Sequence, residues 1–249
     1  MRKGLNDDRG TLILHFAKMI NTINPKIFMI ENVKGLISHN NGKTLEFIIN
    51  KLNKKNIYNI KYKILNALHY KVPQKRERII IVGVLKKLNT NFKFPHKSDK
   101  VVKLKDVLYN VPKSKGAKYS DAKIELLKLI PQGGCWINLP IEKQKDYLGK
   151  SYYSGGGKRG VLRRLSMNEP SLTLLCSPTQ KQTERCHPIE TRPLTIREYA
   201  RIQTFPDDYK FVGSISSQYK QIGNAVPVRM AYKLGKSIIK FLHKCEKLS

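Results

Sequence analysis

Cysteine is scarce in this chain: Cys135, Cys176, Cys186 and Cys245 are unevenly spaced, and no CxxC pair or His-spaced set among them offers a metal site. Cys186 beside His187 reads as coincidence rather than ligation. Long apolar runs are missing too. Nothing approaches the roughly 18 apolar residues a membrane span needs, and Met1-Arg2-Lys3 leads into Asp7-Asp8 without the apolar core of a secretion signal. No membrane association is expected, and a cytoplasmic location is. Acidic residues are few as well, 18 against 48 Lys and Arg, for a formal net charge of +30. Such an excess favours a polyanionic partner through counterion release and long-range attraction. A general lysine-rich bias accounts for part of it, since Lys, Asn and Ile crowd the chain everywhere, but the basic residues also cluster where a polyanion-binding face would need them. What remains is a globular protein: 249 residues with 40% apolar residues can bury one sizeable core and a smaller second one.

Hydrophobic periodicity organises the chain. From Thr11 to Ile23 apolar residues recur at helical spacing (Leu12, Phe16, Met19, Ile20, Ile23), and Pro25 stops the helix. A short apolar strand follows over 26–30. Gly42 and Thr44 open a second amphipathic helix that runs through Leu52, and 60–65 and 78–84 read as β segments. This alternation predicts part of an α/β layered domain over residues 1–85, with a mainly parallel sheet. Over 86–191 the periodicity weakens and turn residues accumulate, at Pro131-Gln132-Gly133-Gly134 and from Ser154 to Lys158, which predicts a separate, irregular lobe. Residues 192–218 contain a helix, Thr195 to Thr204, and a Phe205-Pro206 turn; 219–249 hold a last helix, from about Pro227 to His243, that returns to the first domain. No internal repeat or low-complexity linker interrupts this order.

Four segments bear chemistry. Glu31-Asn32-Val33 directly follows an apolar strand, and in open α/β sheets ligands bind beyond the carboxyl ends of strands; an ordinary solvated or helix-capping carboxylate is the other reading. In the extended segment Val72 to Arg78, Gln74, Arg76 and Arg78 share one face by the two-residue period. That face offers an amide and two guanidiniums to phosphate or a base carbonyl, or it is a charged sheet edge. Arg192 to Tyr209 includes Arg197 and Arg201 at a spacing that points both the same way. In Tyr219 to Pro227, Gly223-Asn224 makes a turn before a helix, where backbone N–H groups and an amide can meet a polar ligand.

In this order and spacing the segments resemble one family, the DNA (cytosine-5) methyltransferases, over nearly the whole chain. Asp8 to Leu12 is similar to that family's fifth motif, Glu31-Asn32-Val33 to its sixth, Gln74 to Arg78 to its eighth, Arg192 to Tyr209 to its ninth and Gln221 to Val226 to its tenth. The resemblance implies an α/β, Rossmann-like S-adenosylmethionine-dependent methyltransferase domain with a small irregular target-recognition domain at 86–191, acting on double-stranded DNA in a restriction-modification system. It also implies that Glu31 bonds the N3 and amino edge of a flipped cytosine and Arg78 its O2. Addition of a nucleophile at C6 drives electron density toward N3 and O2, so a proton donor and a fixed cation there stabilise the developing charge. Asn32 and Arg76 are then expected to orient this pair. Asn224, Val226 and Leu12 are expected to line the S-adenosylmethionine pocket, although plain core packing explains Leu12 and Val226 equally well. Thr173-Leu174 resembles a Thr-Leu pair that touches phosphate before the ninth motif; a buried strand is the alternative. Gln74, Lys158, Arg159, Arg163 and Arg164 complete the expected DNA contacts, and Gln180, Gln182 and Arg185 add to the lobe's polar vocabulary. A basic glycine loop holds phosphates more often than it reads bases.

The departure lies upstream. The family's first motif, a Phe-x-Gly-x-Gly donor loop, and its fourth, a Pro-Cys bearing the thiolate, both precede the fifth, which begins here at residue 8, and none of the four cysteines follows a proline. Attack on C6 needs a thiolate or an equally strong nucleophile. The expected protein is therefore an incomplete catalytic domain, one subunit of a split enzyme whose partner polypeptide supplies the donor loop and the Pro-Cys, with a cognate restriction endonuclease as a further member of the system. An inactive remnant of a truncated gene and a sequence-specific DNA-binding protein without enzymatic role are the other readings. Uninterrupted motifs weigh against the remnant, and Glu31 with its arginines against the pure DNA binder.

Overall fold

The computed structural model describes residues 8–155, 158 and 160–247, with side chains from Leu12 onward. Two compact units form. One comprises the chain up to Asn66, Glu77–His96 and the residues from Lys233 on; the other comprises Ala67–Arg76 and Lys97–Tyr232.

The first unit contains α1 (Asp8–Ile23), β1 (Ile27–Val33), α2 (Lys43–Leu52), β2 (Tyr58–Asn66) and β4 (Glu77–Leu85), β3 (Gln74–Lys75) belonging to the second. Helix α1 stops where Asn24 turns to a φ of 49° and donates its N–H to Ile20 O at 2.9 Å, a left-handed cap ahead of Pro25. The sheet has the order β1-β4-β2, and both pairings are antiparallel. The expected mainly parallel sheet is thus corrected for these strands. A helical crossover through α2 brings β2 back in the direction of β1, whereas the short link 67–76 between β2 and β4 contains no α-helix and returns the chain antiparallel.

Every residue of β4 from Ile79 to Leu85 is buried, as suits a central strand covered on both faces. On one face Ile79, Ile81 and Leu85 join Ala17, Ile20, Leu45, Ile48 and Leu52, side chains from α1 and α2, each leucine and isoleucine contributing on the order of 1.5–3 kcal/mol if fully buried. Gly83 is required there, because a Cβ would lie 2.2 Å from the ring of Phe28. On the other face Val82 and Val84 meet Phe92, whose ring lies 6.3 Å from that of Phe241 in the C-terminal helix. Among the described residues β1 pairs with β4 alone, so its other edge meets no strand. Beside that edge, α1 leaves Leu12 70%, Met19 55% and Ile23 66% exposed: the apolar stripe read in the sequence is wider than the face that α1 buries.

The second unit holds α3 (Asp121–Lys128), α4 (Ile141–Leu148), β5 (Ser171–Leu172), α5 (Ile196–Ile202) and α6 (Ile215–Asn224), with long irregular stretches between them; α7 (Val228–Glu246) starts here and passes into the first unit at Lys233. Its two cores are separate. Tyr119, Leu127, Ile130, Leu148 and Leu162 form one, and Leu104, Leu165, Leu174, Leu194, Tyr199 and Tyr219 the other. Because α5 and α6 bury their apolar sides in the second core, residues 192–232 belong with the irregular lobe, and the return expected at 219 occurs at Lys233. Helix α6 was not anticipated: Gly223-Asn224 closes it instead of making a turn that opens the next helix.

Candidate functional site

Glu31 and Arg78 lie diagonally across the β1-β4 ladder, Glu31 facing Ile80 and Arg78 facing Val33, so both project from one side of the sheet. Arg78 Nε is 2.8 Å from Glu31 Oε1, and the side chains retain 12% and 29% of their exposure. Oε1 is sunk from solvent and receives no aligned hydrogen bond, so the contact is an ion pair whose carboxylate keeps acceptor capacity. Burial pulls the Arg78 guanidinium below its ordinary pKa, against the raising influence of Glu31. Next to the pair is an open hollow of about 400 Å³, lined by Glu31, Asn32, Leu12, Phe16, Met19 and Met29 among others. Asn32 turns its Oδ1 to accept from Val33 N at 2.8 Å, which fixes the loop after β1. Sequence-predicted residues Glu31, Asn32, Leu12 and Arg78 therefore meet in the first unit.

The remaining members of the eighth segment do something else. The alternation holds, with Lys75 and Glu77 exposed and Gln74 and Arg76 buried. Yet Arg76 spends its guanidinium inside the second unit, donating to Leu174 O at 3.0 Å, Gly223 O at 2.9 Å and Ala225 O at 3.1 Å. Gln74 accepts from Leu174 N at 2.9 Å and donates to Gln203 Oε1 at 2.9 Å, and Gln203 in turn donates to Ile222 O and Ala225 O. Gln74 is fully buried, so the DNA contact expected of it is corrected. Together these side chains tie the Thr173-Leu174 segment to the end of α6. Gly223 is forced by that closeness, since a Cβ would stand 2.3 Å from Leu175 O. Asn224 is exposed there and accepts from Cys176 Sγ at 3.1 Å, and Val226 is half-buried. Thr173 donates its hydroxyl to Lys75 O at 2.8 Å, while its carbonyl is held by buried Arg185. Gln203 is the support that sequence reasoning missed, a lone amide between Ile202 and Phe205 being the available signal, whereas Arg185, read as part of the lobe's polar vocabulary, is buried and spent on Thr173 O.

Arg164 also departs from expectation. Its guanidinium is 5% exposed and donates to Leu127 O at 2.7 Å, Ile130 O at 2.8 Å and Thr191 Oγ1 at 2.8 Å. It staples the end of α3 to the 187–191 segment and has no face to offer a phosphate. Arg163 is half-buried, Lys158 donates to Tyr152 O and Ser154 O in its own turn, and Arg159 lies outside the described residues. Arg197 and Arg201 are likewise spent locally, on Pro206 O and Tyr209 O and on Asp207 and Tyr109 O.

The N-terminus of α5 is a compact charge cluster. Thr195 and Glu198 form a capping box, and Arg192 grips Glu198 with two parallel bonds of 2.8 Å while also meeting Glu190. Burial alone would raise the Glu198 carboxyl, but its bonds to Arg192 and Thr195 N and the charge of His187 hold it below the ordinary range. Glu190 is lowered by Arg192, and burial lowers His187. Of the cysteines, Cys135, Cys186 and Cys245 are buried, and burial pushes the Cys186 thiol up to about 11, away from thiolate chemistry.

Comparison with known proteins matches this geometry to a class. The model of the C-5 cytosine-specific DNA methylase family matches residues 1–240, and the chain belongs to that family. It is 53% identical over 247 residues to the type II methyltransferase M.Sau96I of Staphylococcus aureus, covering 98% of this chain and 57% of that protein. With the type II methyltransferase M.Eco47II of Escherichia coli it shares 51% identity over 253 residues, covering 98% of this chain and 61% of that protein. In fold it is similar to the Dnmt2 methyltransferase of S. pombe, with a TM-score of 0.64, 15% identity, and coverage of 94% of this chain and 74% of that one. The chain thus spans about three fifths of the length of these two bacterial relatives.

Proposed function

We propose that this chain is the base-binding and DNA-reading part of a DNA cytosine-5 methyltransferase, working with a thiolate and most of a methyl-donor site that lie outside these 249 residues. The observation behind this reading is the Glu31–Arg78 pair, 2.8 Å apart, whose Glu31 lines the hollow. A cytosine rotated out of the duplex presents N3, its amino group and O2 along one edge. Glu31 is suited to N3 and the amino group, and Arg78 to O2. When a nucleophile adds to C6, density moves to N3 and O2, where a proton held by Glu31 and the Arg78 cation stabilise it.

S-adenosylmethionine, the family's methyl donor, supplies the group that C5 acquires. Within the first unit, Leu12 offers an apolar wall of the hollow that suits part of it; within the second, Asn224 is an exposed amide beside half-buried Val226. No Phe-x-Gly-x-Gly loop exists in these 249 residues to hold the remainder. The relatives are named as type II methyltransferases, which supports a double-stranded DNA substrate and a cognate restriction endonuclease.

The test is complementation. The chain alone should transfer no methyl group from S-adenosylmethionine to DNA. Mixed with the N-terminal portion of a relative, carrying the donor loop and Pro-Cys, it should restore cytosine methylation. Activity of this chain by itself, abolished by a Cys→Ser change within it, would overturn the assignment of the nucleophile.

A further inference from the structure

We propose that the first unit bears a second nucleic-acid contact, a basic groove between residues 91–96 and α7 that holds backbone phosphates of duplex DNA irrespective of sequence. It rests on the DNA-modifying reading above but lies among residues that reading does not use. The groove is open, with a volume of about 440 Å³, and Lys93 and His96 face Lys233, Lys236, Lys240 and Lys244 across it. No carboxylate lines it.

Helix geometry explains how the cluster arises. Met230, Leu234, Phe241 and Cys245 are the buried side of α7, so the four lysines, three or four residues apart, are gathered on an exposed stripe. Like charges at that spacing repel and weaken a helix, and only Lys244, in the last turn, gains from the helix dipole. An anion along the stripe relieves this repulsion. From Lys233 to Lys244 the helix rises about 16 Å, over which one strand of B-form duplex presents about five phosphates.

The floor separates duplex from single strand. Phe241 is 4% exposed and packs edge-on against Phe92 at 6.3 Å, and Phe92 packs the same way on Phe94 at 5.3 Å. Rings committed to one another offer no platform for unpaired bases, which is what single-strand binders present. Lys63, 6.0 Å from the Phe94 ring, adds charge without adding stacking.

The experiment is a salt titration of the full chain with a short fluorescein-labelled duplex, followed by anisotropy. Replacing Lys233, Lys236, Lys240 and Lys244 with Gln should lower the slope of log K against log [salt] by about 3–4, since each phosphate neutralised contributes about 0.9. The four-arginine variant should keep the wild-type slope. Should the Gln variant melt early by circular dichroism, K233Q/K244Q replaces it, with an expected loss of about two in slope. Wild-type binding with an unchanged slope in the Gln variants would overturn the groove alone, and so would a loss confined to single-stranded RNA. A wild-type chain that binds no duplex at any salt would overturn the DNA reading with it.

Discussion

Arginine has three different fates in this protein, decided by what each guanidinium can reach. Arg78 stays beside Glu31, which lines the hollow. In the complemented enzyme, Glu31→Gln should keep most DNA binding and lose on the order of 10²-fold in rate, the scale of a positioned proton donor. Arg78→Ala should lose a similar amount through the uncompensated charge at O2; rates within a few-fold of wild type for both would remove the pair from the chemistry. Arg164 instead satisfies carbonyls of its own unit. Arg164→Ala should lower the unfolding free energy by about 3 kcal/mol, because the buried acceptors lose a charged donor, while leaving the salt slope of DNA binding unchanged. Denaturant titration and anisotropy on one preparation test both halves, and a slope that drops with unaltered stability would return Arg164 to the DNA face. Arg76 is the third kind, a tie between segments distant in sequence. Lysine there could not reproduce three directed bonds to Leu174, Gly223 and Ala225.

At the scale of elements, the stability of the α5 N-terminus is linked to pH. Glu198 and Glu190 have folded pKa values below their unfolded ones, so their stabilisation is present above about 4.5 and is lost as pH falls through the folded values. His187, lowered by burial, adds a loss that begins as pH drops below about 6.5, because the unfolded chain takes up the proton first. Buried Glu184, raised by desolvation despite Lys123, works in the opposite sense. A comparison of wild type with Glu198→Gln cancels that term. The variant should be about 2–3 kcal/mol less stable near neutrality, and the gap should narrow as pH is taken below 4.5; a constant gap from pH 7 to 3.5 would refute the linkage. This cluster was partly legible, since Thr195-x-x-Glu198 before an apolar run is a capping box in any sequence. Helix α6 was not, because its buried residues, Tyr219, Ile222 and Gly223, are too few to set a period.

At the scale of the whole molecule, the edge of β1 that meets no strand among the described residues and the exposed Leu12, Met19 and Ile23 form apolar surface of the kind that favours association. The isolated chain should self-associate at micromolar concentration in sedimentation velocity. Leu12→Ser with Met19→Ser should reduce this without shifting the melting temperature, as neither side chain is in the core. A wild-type chain that sediments as a monodisperse, cooperatively melting monomer would show that this surface drives no association. Sequence alone located the main helices and strands of residues 8–85 to within a few residues, because periodicity and turn chemistry are local properties of the chain, but β1 runs on through Glu31-Asn32-Val33, which were expected to follow it. It also showed that no cysteine of these 249 residues follows a proline, which is a matter of reading. The direction of β4, the burial of Gln74, Arg76 and Arg164, and the pairing of Glu31 with Arg78 were decided only in three dimensions. A basic or amide side chain is written the same way whether its donors meet water, phosphate or a backbone carbonyl 98 or 147 residues away. Only packing selects among them, since each donor that is buried must find an acceptor there.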